Sequence, residues 1–276
     1  MGSHEDGVAG HYAAPELLEI VRGALKSMGI DPDDAPPEAL RPVDEFHIGG
    51  AEATDYLLDK LGVTSETRVL DIGSGLGGAA RVIAHRFGCP VTGIDLTPDF
   101  VEAARGLNRM CGMAVNPTFE VGSATDMPLA DDAFDLATML HVGMNIPDKA
   151  GIFREARRVV RNGGIFAVYD VMKTGPGTLI YPVPWAGHAG LSALAEPDAY
   201  RRAAAAAGFT LEKEENRQAI ALEFFARVRE QVAKMGGPPA LGLHNIMGAT
   251  TGAKVANMVA GIQGDVIAPV LMIFRS

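Results

Sequence analysis

The chain has 276 residues, 47% hydrophobic and 21% charged, a balance that builds a packed core and excludes a disordered or low-complexity protein. A net charge of −10 and a pI near 5.2, with no Lys/Arg-rich run, argue against gripping a nucleic-acid backbone or docking on anionic lipid. The longest strongly apolar stretch, 266–274, is too short to span a bilayer.

In chain order, Met1 to Gly10 is polar and acidic and lacks the basic-then-apolar layout of a signal peptide. Segment 15–28 places Leu17, Leu18, Val21, Leu25 and Met28 at helical spacing. Segment 31–42, rich in Pro and Asp, reads as a linker or arm. A second helix covers 51–61 and stops near Gly62. From Arg68 onward short apolar strands alternate with helices. Strands are expected at 68–72, 91–95, 118–121, 134–139 and 165–171, with helices at 77–87, 98–110 and 148–160. Thr97 and Pro98 supply an N-cap and a first helical residue, and Asn162-Gly163-Gly164 reads as a helix stop. A helix at 200–207, a strand at 209–215, helices at about 222–234 and 253–262, and a strand at 266–274 complete the chain. The alternation implies an α/β fold with a largely parallel sheet covered on both faces. Residues 1–50 are expected as a helical arm and cap, and 51–276 as the main domain, with a helical lid insertion at about 219–264. Cys89 and Cys111 lack metal-ligand spacing, which predicts two buried thiols, no metal, and a reducing, cytoplasmic setting.

The strongest motif is Val69-Leu70-Asp71-Ile72-Gly73-Ser74-Gly75-Leu76-Gly77-Gly78, a buried strand entering a glycine loop that opens a helix. Glycines permit the tight turn and close approach of backbone to a ligand. Gly73, Gly75 and Gly78 also satisfy the dinucleotide pattern. Asp71 separates the two readings, because its carboxylate would repel a pyrophosphate and attract an amino group. Asp95, ending the next strand, suits ribose hydroxyls, which both ligands possess. The segment Gly122-Ser123-Ala124-Thr125-Asp126-Met127-Pro128-Leu129 follows the third strand at the same sheet edge, where an adenine ring can lie.

Taken together, these motifs resemble the class I S-adenosylmethionine (SAM) dependent methyltransferases, of the UbiE-like or type 11 group, over roughly residues 51–211. The resemblance implies a Rossmann-like seven-stranded sheet flanked by helices, with the last strand antiparallel. It implies SAM as cofactor and S-adenosylhomocysteine (SAH) as product. By it, Gly73, Ser74, Gly75 and Gly77 cradle SAM, Asp71 attracts its amino group, and Asp95 and Leu96 flank ribose and adenine. Leu140 joins the same site. Many relatives carry Asp where this chain has Ser123; Ala124 offers backbone there.

Methyl transfer from a sulfonium depends on proximity and orientation, and needs a base only where the acceptor must lose a proton. His141, just after the fourth strand, is the candidate base. The run Phe46-His47-Ile48-Gly49-Gly50-Ala51-Glu52-Ala53-Thr54 resembles the segment preceding the core in glycine/sarcosine and phosphoethanolamine methyltransferases, and puts His47 and Gly49 beside SAM. Tyr181, Trp185 and His188, after the fifth strand, are expected to meet substrate. The late Phe224, Phe225, Met235, His244, Met247 and Met258 are candidates for an apolar lid, or for core.

The expected partner is a small molecule, either an aromatic natural product or quinol, or else a small amine of the glycine/sarcosine type. A NAD-dependent oxidoreductase and a non-catalytic scaffold are the competing classes. The polar arm and the apolar last strand leave homo-oligomerisation open.

Overall fold

The computed structural model describes residues 16–276. The sequence readings on residues 1–15, including the start of the arm, lie outside the described residues. A seven-stranded sheet runs in the order β3-β2-β1-β4-β5-β7-β6. Its strands are β1 (Val69–Ile72), β2 (Val91–Asp95), β3 (Thr118–Val121), β4 (Phe134–Leu140), β5 (Val160–Lys173), β6 (Thr210–Asn216) and β7 (Ile267–Arg275). The first five are parallel, and β7 inserts antiparallel between β5 and β6. This is the Rossmann-like seven-stranded sheet with an antiparallel last strand that the resemblance implies. The central strand β1, Val-Leu-Asp-Ile, is buried throughout, as a parallel strand covered on both faces must be. The chain runs outward from β1 to β3 and resumes at β4 on the other side of β1. This reversal opens a crevice at the carboxyl ends of β1 and β4.

The helices are α1 (Leu17–Ser27), α2 (Pro37–Asp44), α3 (Gly50–Leu58), α4 (Gly78–Phe87), α5 (Pro98–Met110), α6 (Lys149–Val159), α7 (Pro197–Ala206), α8 (Gln218–Met235), the one-turn α9 (His244–Met247) and α10 (Thr251–Gln263). None is long and apolar enough to cross a membrane. One face of the sheet packs Ile152, Phe153 and Ala156 of α6 with Tyr200, Ala203 and Ala204 of α7. There Phe153, Phe166, Phe209 and Phe274 form an aromatic cluster with ring centroids 5.2–6.4 Å apart. The other face packs Leu57 and Leu58 of α3 with Ala80 and Ile83 of α4. Leu17, Val21 and Leu25 of α1 and Leu40 and Val43 of α2 bury against Leu107 and Met110 of α5. The arm is thereby fastened beside the crevice.

Two expectations are corrected. Segment 31–42 is not all linker, because α2 begins at Pro37 and contains Pro42. Pro37 stands at the start of the helix, where its missing N–H costs nothing. Burial of Leu40 and Val43 holds the turn despite Pro42. The run Asn162-Gly163-Gly164 does not separate α6 from a later strand. β5 starts at Val160, pairs with Phe134, and carries the glycines across a register shift.

Candidate functional site

A cavity of about 390 Å³ occupies the crevice. Its floor is the glycine loop after β1. Gly73 takes a left-handed φ of 70°, and a Cβ there would stand 2.4 Å from Val142 Cγ2. Only glycine fits that position. The Gly75 amide donates to Asp95 Oδ2 at 2.8 Å, and the Thr97 amide to Oδ1 at 2.9 Å. Asp95 therefore ties the glycine loop to the start of α5. Burial raises its carboxyl pKa against the opposing pull of those amides. Asp71 is buried and pairs across the sheet with Thr138, whose hydroxyl donates to Asp71 Oδ1 at 2.8 Å. Burial pushes the Asp71 carboxyl up to about 7, with Thr138 opposing the rise and nearby Asp95 adding to it.

The opposite wall comes from the arm. His47 is buried, with Nε2 3.0 Å from the Gly50 carbonyl and 2.9 Å from Thr54 Oγ1. The Thr54 hydroxyl donates to Glu45, which also pairs with Arg41. Burial lowers His47 to about 4, so it is neutral at pH 7. The Tyr169 hydroxyl donates to the Ile48 carbonyl at 3.0 Å and pins the wall from β5.

His141 follows β4 in a left-handed conformation, φ 56°, with its amide donating to the Tyr169 carbonyl at 2.7 Å. Its ring lies 5.2 Å from that of Tyr169 and 6.0 Å from that of His47. His141 Nε2 is buried with no hydrogen-bond partner among the described residues. Burial, then His47, lowers its pKa well below the usual range, which leaves the imidazole neutral. The loop beyond it is braced by Lys149, whose Nζ donates to the carbonyls of Gly143, Ile146 and Ala193 at 2.8, 2.6 and 2.8 Å. Beneath it the Tyr200 hydroxyl donates to the buried Asp170 at 2.5 Å.

Of the residues singled out in the sequence, Asp71, Gly73, Ser74, Gly75, Asp95, Leu96, Ser123, Ala124, His47, Leu140, His141 and Trp185 all line this one cavity. Gly77 and Gly49 do not line it. Gly77 opens α4 against Phe119, and Gly49 packs on Ala53. Tyr181 and His188 also stand off the cavity wall. His188 is exposed, and Tyr181 packs against the cluster of Leu179, Val183 and Trp185 without lining the cavity itself. The short bridge from Val183 to Ala186 turns the run, and of it only Pro184 and Trp185 reach the cavity. Trp185 is 2% exposed and its Nε1 donates to Ser192 Oγ at 3.0 Å.

Sequence reasoning passed over Asp44, Phe100, Met144 and Ile246, which also line the cavity. Phe100 had a signal, since it falls in the first turn of the helix after Asp95. Ile246 had none, because it arrives from a distant part of the chain. The charged lining among the described residues is entirely acidic, namely Asp44, Asp71, Asp95 and Asp148. The apolar lining includes Phe46, Met144, Ile146, Pro184, Trp185, Met247 and Met258. This donor set fits SAM. Asp71 would meet the charge of an amino group and Asp95 the ribose hydroxyls, and the glycine floor would allow close approach.

The methyltransferase domain family matches residues 70–168. The methyltransferase GfsG of Streptomyces halstedii is 32% identical over 162 residues, covering 59% of this chain and 56% of that protein. The sarcosine/dimethylglycine N-methyltransferase of Halorhodospira halochloris is 32% identical over 176 residues, covering 62% of each. The chain thus spans 56% to 62% of the length of these curated relatives. Among solved structures, geranyl diphosphate C-methyltransferase from Streptomyces coelicolor A3(2), in complex with Mg2+, geranyl diphosphate and SAH, superposes with a TM-score of 0.69. That match covers 99% of this chain and 97% of that one at 18% identity, a likeness of fold.

Proposed function

We infer that this chain, whose residues 70–168 belong to the class I SAM-dependent methyltransferases, moves the methyl group of SAM to an uncharged, largely apolar small molecule such as a phenol, quinol or other aromatic natural product. The observation that carries this reading is the lining of one cavity. Asp71 and Asp95 stand at the glycine loop, an apolar set that includes Met144, Ile146, Pro184, Trp185, Met247 and Met258 shares the cavity with them, and of its two buried neutral imidazoles His141 has an Nε2 with no hydrogen-bond partner among the described residues. No Lys or Arg among the described residues lines the cavity to hold an anionic acceptor.

SAM supplies a methyl group already activated on sulfonium, so the chain's own task is placement. Asp71 holds the amino end, Asp95 and Leu96 the ribose and adenine, and Ser123 and Ala124 the far side of the adenine. His47 and Leu140 close the site over the cofactor. Pro184 and Trp185 flank the acceptor, and the segment 219–264 acts as a lid through Met247 and Met258. His141 Nε2, unbonded and neutral, takes the proton from an acceptor hydroxyl as the methyl group moves in line. The acidic charge and the two buried free thiols, Cys89 and Cys111, support a cytoplasmic setting.

A second reading, N-methylation of a small amine, draws on the acidic lining and on likeness to the sarcosine/dimethylglycine enzyme. Methyl-labelled SAM offered with phenols and quinols, and separately with amino acids and small amines, decides between them. Label on the aromatic panel is the expected result. Label on amines alone replaces the first reading with the second. Failure to bind SAH overturns both.

A further inference from the structure

Arg81 is the largest of the fully buried side chains among the described residues, with 1% exposure, yet it does not line the cavity. It stands on α4, one turn beyond Gly77. Its Nη2 donates to Asp44 Oδ2 and to the Leu76 carbonyl, both at 2.6 Å. Its Nη1 donates to the Ala104 carbonyl at 3.3 Å. These three acceptors belong to the arm, the glycine loop and α5. Each of those segments supplies cavity wall close by. Phe46 and His47 follow Asp44, Gly73 to Gly75 precede Leu76, and Thr97 and Phe100 share α5 and its cap with Ala104.

The seat is tight. A Cβ on Gly78 would stand 2.6 Å from both the carbonyl and Oδ1 of Asp44, so the end of α2 rests directly on the first residue of α4. Two residues later Phe46 comes to 3.7 Å from the Cβ position of Gly75, across the floor of the cavity. Apolar packing would fasten the arm without the desolvation that a buried ion pair costs, but it would not fix orientation. A planar fork with three acceptors does fix it.

We propose that Arg81 is a positioning residue that sets the height of the Phe46–His47 wall above the glycine loop, and through it the affinity for the cofactor. The proposal rests on the SAM reading, and the experiment separates the two. SAH is titrated calorimetrically into the full chain, its Arg81→Met and Arg81→Lys variants, and Phe274→Leu, a control in the distant aromatic cluster. No binding by the unmodified chain sinks the SAM reading itself. With binding established, Arg81→Met is expected to weaken SAH about tenfold or more. Arg81→Lys keeps the charge but cannot hold three planar contacts, and is expected to lose about threefold. Where turnover is measurable, Arg81→Lys raises KM for SAM while kcat and the acceptor KM stay within about twofold. Phe274→Leu lowers Tm and leaves SAH affinity unchanged. A merely structural Arg81 would behave like that control. Unmodified SAH affinity in folded Arg81→Met, or in Arg81→Lys where Arg81→Met does not fold, overturns the proposal.

Discussion

Asp71 is the residue on which the reading of the glycine loop turned, and its environment makes a pH-dependent prediction. Buried and raised to about 7, it shares its proton evenly near neutrality in the free protein. A cationic amino group favours the ionised form, so ligand binding expels the proton. SAH affinity is therefore expected to rise as pH increases through 7, with proton release visible as buffer-dependent calorimetric enthalpy. Asp71→Asn should bind SAH about tenfold more weakly and lose that pH dependence. His141 carries the second residue-scale prediction. If it removes a hydroxyl proton, His141→Ala lowers kcat on a phenol by about 10²–10⁴ and leaves SAH affinity close to unchanged. Equal kcat in the two proteins would reduce His141 to a wall of the pocket. Both residues were visible in the sequence because each sits at the end of an apolar strand, where a polar side chain has no packing reason to stand. Tyr181 and His188 were misplaced for the opposite reason. They lie in a loop, and spacing along a loop does not say which side chains turn inward.

At the scale of elements, the segment from Gly143 to Ile146 is a single 3-10 turn, and one buried ammonium ties it to a distant stretch of chain. Lys149 bonds three carbonyls from two separate stretches of chain. Burial lowers its pKa to about 8, with Asp170 opposing the fall. Lys149→Met should leave the Ile146 and Ala193 carbonyls without their donor and cost about 3 kcal/mol or more by denaturant unfolding. It should also raise the acceptor KM more than the SAM KM, because Met144 and Ile146 belong to the apolar lining of the cavity. An unchanged midpoint and an unchanged acceptor KM would show that the loop holds itself. Nothing in the sequence marked Lys149, since lysine on a helix ordinarily points to water. The same limit explains α2. Its composition argued for a linker, and its helix exists because Leu40 and Val43 find a surface to bury against.

Across the whole molecule, two buried neutral histidines, His47 and His141, make acid stability a collective property. Their folded pKa values lie below the ordinary value near 6.5, so the unfolded chain takes up protons first as pH falls. The stabilisation is fully present above pH 6.5 and is lost as pH drops toward 4, where His47 titrates in the folded state. For His47 alone this amounts to roughly 3 kcal/mol at most. Tm is expected to fall steeply across that interval, and less steeply in His47→Gln. A parallel decline in both proteins would place the acid sensitivity elsewhere.

The succession of strands and helices along the chain, the glycine loop, Asp71, Asp95 and His141 could be read from the sequence because each obeys a local rule. Hydrophobic period assigns strand or helix, glycine marks the turn, and strand ends face one edge of a parallel sheet. The arm's seat on α4, the burial of Arg81 and Lys149, the inward turn of Trp185 and the arrival of Ile246 obey no local rule. They depend on which distant surfaces meet, and that is decided by packing and by the need to pair every buried charge. Tertiary structure alone could therefore show that the arm, the glycine loop and the late helices enclose a single cavity.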